Sequence, residues 1–372
     1  MRMRCVPTLL VLATVFVGVS LAAAAEDIAP EVQKVTKKLS RDYEHNVRAA
    51  AAEMLGYIGD ESALSDLAEN VQAYPQTIRV GVVESLGRLG GPRAIRVLTE
   101  TLTNRYLLQE WNEDALRTLS EAFGRIGDKE TLPLVRKFYE KGCKYSEGKP
   151  EPEMLWGLAV FGDEKAIETI VNWMKTGDPA RRKLAADRLG FVGNRKSEEE
   201  LCMILDYSED QALRQVAARS LGRRRSKVAL DSLLDALRGA TTAEAAHALG
   251  MLGNPEAVGD LKPLLASSDQ SVALEAAFAL ARLGDKSGLE VVRKRLDDKD
   301  VLIQAKAAAA LVAVGDEAGT AALKKAWDQM DAKQRHWFIR DNLAGDKWAL
   351  PFLKDLAAND KYPGIRKLAT EL

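Results

Sequence analysis

The chain has 372 residues, 29% of them charged, with 53 Lys and Arg against 54 Asp and Glu for a formal net charge of −1. That balance argues against a basic nucleic-acid-binding arm or a polybasic membrane patch. A globular chain of this length would be expected to form two or three domains, but no linker is visible after residue 30.

Residues 1–25 differ from the rest. Arg2 and Arg4 precede an apolar run from Val6 to Leu21, and Ala22 to Ala25 supply small residues before Glu26. This order reads as a secretory signal peptide cleaved after Ala24 or Ala25, leaving residues 26–372 as an exported protein in the periplasm or outside the cell. Membrane attachment would follow only if the segment were kept as an anchor. Cys5 lies before the apolar run, where lipid attachment cannot use it. Loss of Arg2 and Arg4 takes the formal net charge to −3.

From residue 59 onward glycine recurs with a period close to 31 residues. The anchors are Gly59, Gly90, Gly127, Gly162, Gly193, Gly253, Gly284, Gly315 and Gly345, with Arg225 standing where a further glycine is expected. A fixed period in this range marks a helical solenoid. Two amphipathic helices fit between anchors. After Asn254, for example, Val258, Leu261 and Leu265 fall at helical spacing, and then Val272, Ala276, Leu280 and Leu283 do so again. The glycine should end each second helix by adopting positive φ, and the polar residue after it, as in Gly59-Asp60 or Gly284-Asp285, should open the next first helix. Asp178, Asp210, Asp269 and Asp300 stand where they can cap second helices, and Pro179 suits a first helical position. Alanine-rich second helices, such as Ala49 to Ala52 and Ala307 to Ala310, permit close stacking. The expected fold is all-α, a right-handed α-α superhelix of about ten to eleven helical pairs.

The units Val47 to Leu64, Arg182 to Asn194 and Leu213 to Gly222 resemble HEAT repeats of the phycobilisome-lyase-like subtype, of the form V-R-x-x-A-x-x-A-L-G-x-L-G-D. The resemblance covers nearly the whole chain after residue 26. It implies that the motif arginine and the aspartate four residues before it link one repeat to the next. Arg182 with Asp178 and Arg214 with Asp210 match both positions, whereas Arg48 and Arg79 match the arginine only. Ala273, Gln304 and Gln334 occupy the arginine position in later repeats, so the ladder is not expected there.

Two adjacent intervals are long, with extra residues around Thr103 to Glu113 and Lys141 to Pro152. Both insertions lie between first and second helices, on one expected edge, and insertions in such arrays often map to the binding face. They carry Tyr106, Trp111, Tyr139 and Tyr145. On the neighbouring concave face Trp156, Phe191, Met251 and Phe278 would form an exposed aromatic lane. Tyr106, Trp111, Tyr145 and Trp156 are therefore the candidate partner-binding residues. The irregular stretch Lys333 to Ala344 and the last unit read as a terminal cap containing Trp337 and Trp348.

Catalytic motifs are absent: no G-x-x-x-x-G-K-[ST], G-x-G-x-x-G, G-x-S-x-G or C-x-x-C occurs. His45, His247 and His336 lie in separate repeats without a histidine or cysteine at ligand spacing, so neither a metal nor another cofactor is expected. Deoxyhypusine hydroxylases, which are HEAT-repeat iron enzymes, use His-Glu pairs, and this chain has no such dipeptide. Cys143 and Cys202 fall about two layers, roughly 20 Å, apart, beyond disulfide reach. The sequence therefore points to a non-enzymatic scaffold with a protein partner and without nucleic acid. The alternative is a lyase-like enzyme or assembly factor using Cys143, Tyr145 or a histidine, recognisable by polar residues converging on one concave spot.

Overall fold

A computed structural model describes residues 28–103, 111, 113–141 and 153–372. Residues 1–27, which include the expected signal peptide, and Tyr106, Cys143 and Tyr145 lie outside the described residues. Those residues form eleven helical pairs with no strand among them, from 28–37 with His45–Ile58 to 347–359 with Pro363–Glu371. No described helix is long and apolar enough to cross a membrane.

The described residues form two compact units, one from residue 28 to 122 together with 350–372, the other within residues 123–349. The first is discontinuous, because the C-terminal pair packs against the first repeats. In it the Tyr362 hydroxyl donates to Glu31 Oε1 at 2.8 Å, and the Lys361 Nζ lies 3.2 Å from Glu31 Oε2. Tyr362 is 1% exposed, and Ile365 is fully buried. The last pair is thus a structural part of the beginning of the chain.

Local chemistry sets the helix ends much as the spacing implies. Gly59, Gly90, Gly127, Gly162, Gly253, Gly284, Gly315 and Gly345 all have φ between 68° and 85°. Asp60, Asp163, Asn194, Asn254 and Asp316 accept backbone hydrogen bonds from the first turn of the following helix. Asp178, Asp210, Asp269 and Asp300 cap the second helices. Gly193 corrects the rule: its φ is −64°, an extended conformation open to any residue. What requires glycine there is space, since a Cβ would lie 2.6 Å from the Leu189 carbonyl oxygen.

The packing between successive second helices is closer than alanine alone would allow. The penultimate glycine of the repeat motif faces a small residue of the next second helix. A Cβ on Gly56 would lie 2.6 Å from Ser85 Cα, one on Gly190 2.9 Å from Ser220 Cα, and one on Gly250 2.7 Å from Ala279 Cα. Ser85 and Ser220 then reach a carbonyl of the preceding helix, Ala52 at 2.6 Å and Ala186 at 2.8 Å. Backbone polarity is satisfied across a contact too tight for larger side chains.

The motif arginine ties its own repeat together and, at Arg48, also reaches the next one, where Nη2 donates to Asn70 Oδ1 at 3.1 Å. Arg48 Nε donates to the Leu39 carbonyl, Arg79 to Ala73, Arg182 to Met174 and Arg214 to Leu205, at 2.9–3.2 Å. Each ties the end of a first helix to the start of the second, while the aspartate caps. Gln304 makes the same tie to the Asp298 carbonyl, and Arg335, one position past Gln334, reaches Met330 at 3.1 Å. Two of the three late repeats therefore keep the contact with altered chemistry, and Ala273 has no side chain that could make it.

Candidate site on the second helices of residues 123–349

In the second unit, the faces of the second helices Gln270–Arg282, Val301–Ala313 and Ala332–Phe338 with Ile339–Leu343 border one cleft of about 440 Å³. Phe278, Trp337, Leu302 and Ile303 give it apolar walls, and Glu275, Arg295, Lys306 and Asp341 supply charges of both signs. The segment Ile339–Leu343 is a π-helix, closed by a hydrogen bond from Ala344 N to Ile339 O at 2.8 Å. One extra residue per turn explains why the apolar positions of Lys333 to Ala344 drift from the repeat template. The wider turn carries Asp341 and Asn342 to the cleft. Trp337 lines this cleft, and Trp348 lines a recess beside it. Both tryptophans therefore border cavities of the second unit, and Trp348 stands at the start of the last helical pair.

Behind the cleft lies a small recess of about 20 Å³, bordered by His247, Phe278, Arg282, Lys306, Asn342 and Trp348 over alanines. Two of its polar side chains, His247 and Lys306, meet on Glu275. Lys306 Nζ is 2.6 Å from Glu275 Oε2, and His247 Nδ1 is 3.1 Å from the same oxygen. Burial opposes the charge on Glu275, but Lys306 and His247 more than offset it and hold the carboxyl at about 2. Burial and then Lys306 lower the pKa of His247, so the ring is neutral at pH 7. The Lys306 ammonium also sits 4.8 Å from the centre of the Phe278 ring.

A second network adjoins it. Arg282, whose side chain is 8% exposed, pairs with Asp346 at 2.7 Å. Arg225, with φ 50° at the anchor that lacks glycine, donates to Asp346 at 2.9 Å and to the Ala344 carbonyl at 2.6 Å. A non-glycine residue in the left-handed region costs about 1–2 kcal/mol. Two charge-assisted hydrogen bonds across more than a hundred residues offset that strain. Arg223 reaches Asp187 at 2.7 Å and stands 3.6 Å from Asp341.

The sequence-derived candidates fare differently. Tyr106 and Tyr145 lie outside the described residues. Trp111, in the first unit, is 8% exposed, and Trp156, in the second, is 2% exposed. Trp156 donates to Glu153 at 2.8 Å and packs at 5.4 Å on Trp173. The expected exposed aromatic lane is corrected: Met251 and Phe278 are each 3% exposed, and Phe191 lies under the Arg223 guanidinium at 4.8 Å. In the first unit Tyr57 is covered likewise by Arg88, at 4.0 Å. The next repeat supplies a cation for the ring's face, which buries the aromatic without a partner.

Sequence reasoning missed the convergence of His247, Glu275, Lys306 and Asn342. The signal was present, since Glu275 and Lys306 stand 31 residues apart, at one register of adjacent repeats with opposite charge. Cys202 is a free, half-buried thiol that burial raises to about 11, unsuited to nucleophilic work. Among the described residues no group of His, Cys, Asp and Glu could hold a metal ion.

The structure of human deoxyhypusine hydroxylase in complex with glycerol is similar over 77% of this chain and 97% of its own, at 20% identity and a TM-score of 0.35. The complex of CpcE and CpcF of phycocyanin lyase from Nostoc sp. PCC7120 is similar over 68% of this chain and 94% of its own, at 19% identity and a TM-score of 0.42. Kap121p bound to Pho4p is similar over 92% of this chain and 43% of its own, at 14% identity and a TM-score of 0.38. No curated protein matches the sequence. The family model for HEAT repeats matches residues 32–117, 198–273 and 260–340. With these matches and the paired helices, the chain belongs to the HEAT-repeat family.

Proposed function

We propose that this HEAT-repeat protein is an exported, non-catalytic scaffold that binds another protein through the exposed face of its late second helices. One observation carries the reading: the cleft bordered by Phe278, Leu302, Trp337 and Asp341, with apolar walls and charges of both signs. Such a mixture suits a polypeptide, whose side chains need burial and whose backbone needs polar partners. The edge built by the two insertions, with Tyr106 and Tyr145, is the second contact region in this proposal. Trp111 and Trp156 are buried and offer no exposed rings.

The test compares wild type with Leu302→Arg, at a position 37% exposed on the cleft. Crosslinking in the exported fraction should lose the same partner in the variant at unchanged melting temperature. An unchanged crosslinking pattern removes the cleft from the reading. Tyr106→Ala with Tyr145→Ala tests the insertion edge in the same way.

A lyase-like enzyme or assembly factor is the second reading. What favours it is the gathering of His247, Glu275, Lys306, Arg282 and Asn342 in one place. Incubation with free phycocyanobilin, with His247→Ala as the control, decides it: histidine-dependent transfer of the pigment to an acceptor protein would establish a reaction, and an unaltered absorption spectrum would exclude this one.

A further inference from the structure

The recess beside the cleft has a donor-rich lining. The indole nitrogen of Trp348 and Nε of Arg282 are buried without a hydrogen-bond partner among the described residues. The Lys306 ammonium and the Asn342 amide border the same space, and the floor is Phe278 with Ala279, Ala309 and Ala310. Buried donors left unpaired are costly, so such a site favours whatever brings acceptors to it. We propose that the recess receives the carboxylate of one acidic side chain of the peptide segment lying in the cleft. This rests on the cleft being the binding surface.

Size and charge both bear on the choice of ligand. At about 20 Å³ the recess holds one small group rather than a whole metabolite, since a single water needs roughly 10–15 Å³ by that measure. Phe278, Lys306 and Asn342 border both spaces, so a side chain entering the recess stays continuous with a chain in the cleft. Three successive second helices at roughly 10 Å per layer span about 20 Å, the length of some six extended residues. The cations are partly neutralised, Lys306 by Glu275 and Arg282 by Asp346. A monoanion fits that balance better than a phosphate dianion, and the Lys306, Asn342, Trp348 and Arg282 side chains that border the recess carry N–H donors for its oxygens.

The experiment pans a random heptapeptide library on the full chain, then measures the enriched peptides by fluorescence anisotropy. Wild type, Leu302→Arg and Trp348→Phe are compared, the last keeping the ring and removing only the donor. The expected result is a shared Asp or Glu in peptides that Leu302→Arg no longer binds. Changing that residue to its amide should weaken binding to wild type at least tenfold and to Trp348→Phe less than twofold. If Trp348→Phe lowers the melting temperature, Asn342→Ala takes its place. Peptides that need the cleft but share no acid, or an acid-to-amide loss equal in wild type and variant, overturn the recess as the carboxylate site and leave the cleft standing. Recovery of no peptide sensitive to Leu302→Arg overturns both.

Discussion

Gly59→Ala should loosen the start of the chain by displacing its end. The Cβ added at Gly59 would stand 2.5 Å from both the N and Cα of Gly364, in the helix Pro363–Glu371. Ordinary contact begins near 3.4 Å, so the two backbones must separate by almost 1 Å. Overpacking of this kind costs about 1–3 kcal/mol. The left-handed φ of 74° adds about 1–2 kcal/mol for alanine. The sum is about 2–5 kcal/mol. Gly253→Ala isolates the conformational part, because Gly253 has the same φ of 74° with nothing within 4 Å of its Cβ. Gly364→Ala isolates the contact: alanine there should gain about 0.8–1 kcal/mol of helix propensity, yet its Cβ would lie 2.5 Å from the Tyr57 carbonyl oxygen. The assay is native-state hydrogen exchange, which reports each unit separately. Gly59→Ala and Gly364→Ala should both speed exchange in His45–Ile58 and in residues 350–372, and Gly253→Ala should do neither. Equal protection in these segments for all three variants would refute the docking of the last pair on the first.

Gly250→Ala should destabilise the second unit by about 1–3 kcal/mol through its 2.7 Å approach to Ala279 Cα, whereas Gly259→Ala, with open space around it, should leave the melting temperature at or above that of wild type. The pH dependence follows from two groups. His247 has a lowered pKa in the folded state, so the unfolded chain binds its proton first and stability falls as pH drops below about 6.5. Glu275 is held at about 2, so its contribution is complete above the unfolded value of 4.5 and disappears as pH falls through 2. Urea titrations from pH 7.5 to 5 should show the first loss in wild type and not in His247→Gln. Lys306→Met removes the cation from Glu275, whose side chain is 21% exposed, and leaves it only the His247 ring; it should cost about 3–5 kcal/mol at pH 7. Sequencing the mature N-terminus should find it at Ala25 or Glu26, and a chain still beginning at Met1 in the membrane fraction would make the segment an anchor.

The glycine period and the polar residue after each anchor made the pairs legible because helix ends are settled by a few neighbouring residues: a positive φ, a side-chain acceptor, a missing N–H. The alanines and the penultimate glycines likewise carried the stacking of each second helix on the next, since that contact repeats with the sequence. Even so, Gly193 and Gly253 look alike in the chain, and only the fold shows that one is required by space and the other by φ. Sequence periodicity could not say that Glu31 meets Tyr362, or that Arg225 leaves the glycine pattern in order to hold Asp346. Nor could it place His247 beside Lys306, 59 residues on. Those contacts depend on the summed rotation of many helix-to-helix steps, each set by the side chains at its contact, and a period records the steps but not their sum. The aromatic lane was misjudged for a related reason: a residue's distance from its anchor tells which way it faces, but whether a cation from the next repeat covers it is decided only when the layers are in contact.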